Sequence, residues 1–158
     1  MALSRLDNLY RQVILDHTTN PHNKGVIEHA TSTVELNNPT CGDVIQLQMT
    51  VDGGVITDVK FDGHGCSISM ASASMMTEAV KGKTEKEAME IIGSFLELVQ
   101  GEELDKAHKK QLGDAQMLSG VAKFPARIKC ATLSWKALER GIIQETETIT
   151  AEQEHTEE

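Results

Sequence analysis

Apolar residues follow two rhythms along this chain, and each predicts a different kind of element. Near the start, Leu3, Leu6, Tyr10, Val13, Ile14 and His17 recur at the spacing of one helical face, which predicts an amphipathic helix over residues 4–17. Ser4 with Asp7 behind it has the look of a capped N-terminus. The stretch from Thr18 to Gly25, with Pro21 inside it, breaks the pattern, and a loop is expected to about Thr31. The period then falls to two. Val34 and Leu36 alternate with polar neighbours over residues 32–37, and Ile45, Leu47, Met49 and Val51 alternate with Gln46, Gln48 and Thr50 over residues 43–51. Asp52-Gly53-Gly54 offers the positive-φ positions of a hairpin turn, and Val55, Val59 and Phe61 mark the returning strand.

From Cys66 onward the helical period returns. Residues 67–80 are rich in Ala, Ser and Met, small enough for close packing on a sheet, and Lys81-Gly82-Lys83 ends them. Thr84-Glu85-Lys86-Glu87 reads as a capping box, with Ala88, Ile91, Ile92, Phe95, Leu96 and Val99 as the buried stripe behind it. Residues 101–120 are polar and broken by glycines, with short helical turns expected around Leu104 and Met117. Pro125 suits the first turn of a last helix, Ile128, Ala131, Trp135 and Leu138 its buried stripe, and Gly141 its stop. The pattern predicts an α+β fold: a three-stranded antiparallel sheet packed by helices, in a single domain spanning residues 1–144.

Composition narrows the function classes. The chain has 158 residues, 39% of them hydrophobic, enough for one domain with a real core. Its net charge of −9 argues against a nucleic-acid or anionic-membrane partner, and aromatic residues, at 3%, are too few for base stacking. Six glutamates without a single Lys or Arg occupy residues 145–158, so most of the charge is local, and this stretch reads as an acidic, disordered tail. No apolar run approaches the roughly 20 residues of a membrane span. The first residues also lack the order of a signal peptide, so a cytoplasmic protein with reduced thiols is expected.

The candidate chemistry lies in three cysteines, an odd number that speaks against a disulfide framework. Cys41 and Asp43 sit two apart in Asn38-Pro39-Thr40-Cys41-Gly42-Asp43, where alternation puts both side chains on one side of a chain entering a strand. Cys66 closes Asp62-Gly63-His64-Gly65-Cys66, and Cys130 follows Pro125 near the start of the last helix. A helix N-terminus favours thiolate. Cys41, Asp43, Cys66 and Cys130 therefore form a candidate four-ligand site for zinc or iron. The alternative is that each cysteine is a small buried hydrophobe, which suits Cys130 better than the other two. His64 is a competing ligand. His17, His22, His29 and His108 share no metal-binding spacing, His155 lies in the tail, and none is assigned a role.

Three segments together resemble the cysteine motifs of the U-type iron–sulfur cluster assembly scaffolds. They are Asn38-Pro39 through Asp43, Gly63 through Ser74, and Pro125 through Cys130. Lys129 stands where the housekeeping scaffolds have histidine, Lys123-Phe124-Pro125-Ala126-Arg127 replaces their Leu-Pro-Pro-Val-Lys stretch, and the Cys66-to-Cys130 segment is longer. All three features resemble the zinc-dependent SufU branch of Gram-positive bacteria. The resemblance implies a metal/thiol site at an exposed end of the fold, zinc on Cys41, Asp43, Cys66 and Cys130, and sulfur transfer. Persulfide sulfur would come from a PLP-dependent cysteine desulfurase of the SufS type and pass to a downstream iron–sulfur assembly complex. Cys41, in a Pro/Gly loop, is the expected acceptor, and Arg127, one turn before Cys130, a supporting residue. The alternative is a scaffold on which an iron–sulfur cluster is assembled and handed on, with iron or the cluster bound transiently.

Overall fold

The three strands form one antiparallel meander in the order β1 (Ser32–Asn38), β2 (Asp43–Asp52), β3 (Val55–His64). The computed structural model describes the backbone of residues 2–39 and 42–157, and the side chains of Leu9, 11–39 and 42–144. In β2 the alternation is realised: Asp43, Ile45, Leu47 and Met49 are buried on one face. Gly53 and Gly54, at φ +59° and +78°, make the two-residue loop that closes Asp52 against Val55. A register shift at Thr50/Val51 follows, so the buried face of β3 is carried by Ile56, then Val59 and Phe61. Its outer edge is covered by the loop after the first helix, where Phe61 N–H donates to Asn23 O (3.1 Å) and Gly25 N–H to Phe61 O (2.8 Å). That cover removes a strand edge that could otherwise template aggregation.

Helices close the other side of the core. They are α1 (Ala2–Thr19), α2 (Ser67–Val80), α3 (Glu85–Val99), α4 (Lys106–Leu112) and α5 (Pro125–Glu157), with a 3₁₀ helix (Gly113–Lys123) between the last two. The helix α1 starts before Ser4, which is therefore inside the helix and not at its cap. The α3 capping box is present: Glu87 N–H donates to Thr84 Oγ1 (3.1 Å) and Thr84 N–H to Glu87 Oε1 (3.2 Å). The Thr84 N–H holds the Glu87 carboxyl below its ordinary range. In the same way, the His108 N–H holds Asp105, the cap of α4, below its own.

The serines of α2 do more than keep the helix thin. Trp135, fully buried and stacked on Phe95 at 4.0 Å, donates its Nε1–H to Ser72 Oγ (2.8 Å), which in turn donates to Ala131 O (2.5 Å). A polar cross-link thus fixes α2 on α5 inside an apolar core, where an unpaired indole N–H would cost about 1–3 kcal/mol. Among the described residues no helix is long and apolar enough to cross a membrane.

Two expectations are corrected. Residues 101–120 hold more than isolated turns: they form α4 and the 3₁₀ helix, which bury Leu112, Ala115, Leu118 and Val121. Gly141 does not stop the last helix, and the backbone of α5 runs on to Glu157. Gly141 is buried on the sheet, where an added Cβ would meet Met49 Cε and Val34 Cγ2 at 3.4 Å. It permits close approach of α5 to β1 and β2. Beyond it no proline or further glycine interrupts the helix, and glutamates favour its continuation.

Candidate metal centre

The strand β2 begins with Asp43, directly opposite Asn38 at the end of β1. Inward alternation leaves the Asp43 side chain only 1% exposed, at the rim of the core. A carboxylate in that position needs donors or a cation. One donor comes from α2, whose first turn points at it: Cys66 N–H reaches Asp43 Oδ1 at 2.8 Å. Cys66 is the N-cap of α2, its sulfur accepting Ser69 N–H (3.4 Å) in the place a serine or aspartate oxygen usually takes. The same sulfur is 3.9 Å from Asp43 Oδ2.

Two glycines make this approach possible. A Cβ on Gly65 would stand 2.3 Å from Asp43 Oδ1, and one on Gly63, at φ +128°, would stand 2.0 Å from Val44 O. Any other residue at either position would force its neighbours to shift, so Gly-His-Gly-Cys reads as a close crossing of strand and helix and not as a phosphate cradle. His64 is the last residue of β3, is exposed, and is absent from the donor group below.

The third donor arrives from α5. Cys130 is fully buried in its second turn, with Asn38 Nδ2 at 3.9 Å from Sγ and Ala126 O at 4.0 Å. A carboxylate oxygen of Asp43 and the sulfurs of Cys66 and Cys130 all lie within 4.8 Å of one another. Zinc–sulfur bonds of about 2.3 Å and zinc–oxygen bonds of about 2.0–2.2 Å place tetrahedral ligands roughly 3.5–3.8 Å apart, so the group needs only a slight contraction. Two thiolates and a carboxylate suit zinc or iron and disfavour magnesium or calcium. The donor set fits the metal. Cys41, the fourth expected ligand, lies outside the described residues.

Arg127 is in the first turn of α5, exposed, and is not part of the donor group. It lines a groove with Arg11, Ile14, Ile68, Lys123 and Phe124. Phe124 is 62% exposed, the most open aromatic among the described core-sized side chains, so this groove joins an apolar floor to three cationic side chains.

Sequence reasoning passed over a second constellation. His17, left without a role, is 2% exposed. Its Nδ1 is 2.7 Å from Ser74 Oγ and its Nε2 2.8 Å from Asp114 Oδ2. His22 donates its backbone N–H to the same Ser74 Oγ (2.7 Å), and its ring, 4.7 Å from the His17 ring, hydrogen-bonds through Nδ1 to Glu78 Oε1. The partners are 57 and 97 residues from His17, so no local spacing could have announced them. The one available signal was a histidine on the apolar stripe of α1.

The chain is 57% identical over 142 residues to the zinc-dependent sulfurtransferase SufU of Bacillus subtilis (strain 168), covering 90% of this chain and 95% of that one. It is 51% identical to the iron–sulfur cluster assembly scaffold protein IscU of Streptococcus pyogenes serotype M1, over 90% and 87% of the two chains. A solved structure of a candidate SUF-system scaffold (FiSufU) from Fervidobacterium islandicum AW-1 superposes with a TM-score of 0.77 at 38% identity, covering 82% of this chain and 93% of that one. The family model for the NifU-like N-terminal domain matches residues 9–146, and the chain belongs to that family of iron–sulfur cluster assembly proteins.

Proposed function

We propose that this protein accepts persulfide sulfur from a PLP-dependent cysteine desulfurase of the SufS type in the cytoplasm and passes it to a downstream iron–sulfur assembly complex. The observation that carries the reading is the convergence of Asp43, Cys66 and Cys130 within 4.8 Å, at the end of the sheet where Cys41 follows two residues before Asp43 in the chain. Cys41, Asp43, Cys66 and Cys130 would hold zinc, which when bound keeps coordinated thiols deprotonated and shielded. Likeness to a relative named as a zinc-dependent sulfurtransferase supports the same reading.

Cys41 is the acceptor. Of the three cysteines it alone belongs to the connection between two strands, whereas Cys66 caps α2 and Cys130 is inside α5. Its thiolate attacks the outer sulfur of the desulfurase persulfide. A new S–S bond forms on Cys41, the old S–S bond breaks, and the desulfurase cysteine leaves as thiolate with the electron pair, so no external oxidant or reductant is needed. Asp43, held by Cys66 N–H, together with Cys66 and Cys130 retains the site while Cys41 is away. The groove of Arg11, Lys123, Phe124 and Arg127 supports docking of an acidic partner surface, and Arg127 is placed there to meet an anionic group.

The test is metal content and thiol titration before and after chelation, followed by transfer of labelled sulfur from a desulfurase. Stoichiometric zinc, thiols masked until chelation, and label on the wild type but not on Cys41→Ala are expected. Label retained on Cys41→Ala would sink the acceptor assignment. A second reading, a scaffold carrying an iron–sulfur cluster, uses the same donors and is favoured by the likeness to a named scaffold. Iron with acid-labile sulfide in the purified protein would select it.

A further inference from the structure

The described residues contain a second donor group that the sulfur chemistry does not use. One ring nitrogen of His17 and a carboxylate oxygen each of Glu78 and Asp114 lie within 4.8 Å of one another, on three different elements: the last turn of α1, the last turn of α2 and the first turn of the 3₁₀ helix. We propose that His17, Glu78 and Asp114 form a binding site for a second divalent transition-metal ion of the nitrogen- and oxygen-preferring kind, of which Mn²⁺ is the simplest probe.

Three features support a cation site over a chance pair of hydrogen bonds. First, two carboxylates converge on one spot, and among the described residues their partners are the two imidazoles, with no lysine or arginine. Two negative groups this close repel unless a cation lies between them. Second, two of the three donors are oriented from behind, as metal ligands generally are. His17 is fixed by Ser74 Oγ at its other ring nitrogen, and Glu78 is fixed by His22 Nδ1. Ser74 is fully buried and is itself fixed by His22 N–H, so the support is rigid. Third, access is graded. His17 is buried, while the side chains of Glu78 and Asp114 are 43% and 50% exposed, so an ion reaches a fixed nitrogen through an open carboxylate mouth.

The protonation chemistry is consistent. A carboxylate only accepts, so with a single ring proton His17 carries it on Nε2 facing Asp114, with Nδ1 accepting from the Ser74 hydroxyl. Binding through Nε2 moves that proton to Nδ1, where Ser74 Oγ accepts it. The ring changes tautomer with no net change in its charge.

The donor types separate this site from the cysteine centre. Thiolates select zinc, whereas imidazole with carboxylates accepts manganese as well. The experiment is a Mn²⁺ titration of the protein loaded with one equivalent of zinc per chain, which the thiolate centre takes first, following the free Mn²⁺ signal by electron paramagnetic resonance. One saturable equivalent is expected, lost in Glu78→Gln and Asp114→Asn and weakened about tenfold in Ser74→Ala and in His22→Ala, which remove only orienting contacts. Cys66→Ser should keep the uptake, so a failure of the sulfur-transfer reading would leave this result untouched. Free Mn²⁺ that tracks added Mn²⁺ throughout would overturn the proposal. Uptake unchanged in Glu78→Gln and Asp114→Asn would overturn it as well, by placing the ion elsewhere. Circular dichroism of each variant separates lost binding from lost fold, and the two orienting variants keep the test decisive if the carboxylate variants fold poorly.

Discussion

The two ends of α2 carry two polar clusters of opposite character. At the N-terminal end Cys66 caps the helix and meets Asp43 and Cys130; near the other end Ser74 and Glu78 meet His17, His22 and Asp114. Cys66 and Glu78 are twelve positions apart, roughly 18 Å along the axis. One cluster uses soft sulfur donors on the ends of elements, and its construction requires Gly63 and Gly65. The other uses imidazole, hydroxyl and carboxylate groups from the C-terminal halves of α1 and α2, the start of the 3₁₀ helix and the loop after α1, and no glycine takes part in it. The difference teaches that a reactive thiol site advertises itself through the backbone it demands, whereas a polar clamp between helices is assembled from residue types that carry no local signature.

The comparison breaks most visibly at a direct ligand. Cys130→Ala should lower zinc affinity at least about 100-fold, because even residues behind a ligand are worth 10–100-fold. Competition with a chromophoric chelator measures it, and Mn²⁺ uptake at the other end of α2 should be unaltered. His17→Ala is the converse. It removes the link from α1 to α2 and the 3₁₀ helix, and should cost about 1–3 kcal/mol in urea unfolding by leaving Ser74 and Asp114 short of a partner. Sulfur acceptance at 25 °C should be unchanged; if it falls together with stability, the two clusters are coupled and the contrast fails.

Gly65→Ala sharpens the comparison at the backbone. The 2.3 Å clash with Asp43 Oδ1 forces strand and helix apart, with an expected loss of about 1–3 kcal/mol and weaker zinc binding. Gly42→Ala, where an added Cβ meets nothing within 4 Å among the described residues but φ is +70°, provides the strain-only control. The smallest effect belongs to a cap away from both clusters. Thr84→Ala should cost about 1 kcal/mol and change neither metal. Its pH dependence has a defined sign: the folded Glu87 carboxyl sits below its ordinary value, so its contribution is complete above that value and lost as pH falls through the folded one. The gap in thermal midpoint between wild type and Thr84→Ala should therefore narrow on acidification.

Much of the fold was legible. The period-two run from Ile45 to Met49, the Gly53-Gly54 turn and the Thr84–Glu87 box each encode their structure within a few residues, and each is present. Cys66, preceded by histidine and glycine, fits poorly as core filler, whereas Cys130 fits that reading by sequence; the structure brings both to Asp43. Gly141 was misread because a glycine near the end of an apolar stripe looks the same whether it terminates a helix or admits a neighbour. Only the sheet beneath it, with Val34 and Met49 at 3.4 Å, distinguishes the two. The 3₁₀ helix was underestimated because its buried positions, Ala115, Leu118 and Val121, repeat every three residues amid polar neighbours and match neither strand nor α-helix spacing.

Local order, then, was determined by the sequence alone: helix and strand periods, turn glycines, caps, and the residue types able to hold a soft metal. Those signals act over one or two turns, where a side chain's neighbours are set by covalent distance. The meeting of His17 with Ser74 and Asp114, the seating of Trp135 on Ser72, and the passage of α5 over Gly141 were decided by tertiary structure. Each joins residues tens of positions apart, and which polar groups become partners there depends on which surfaces the buried apolar faces press together.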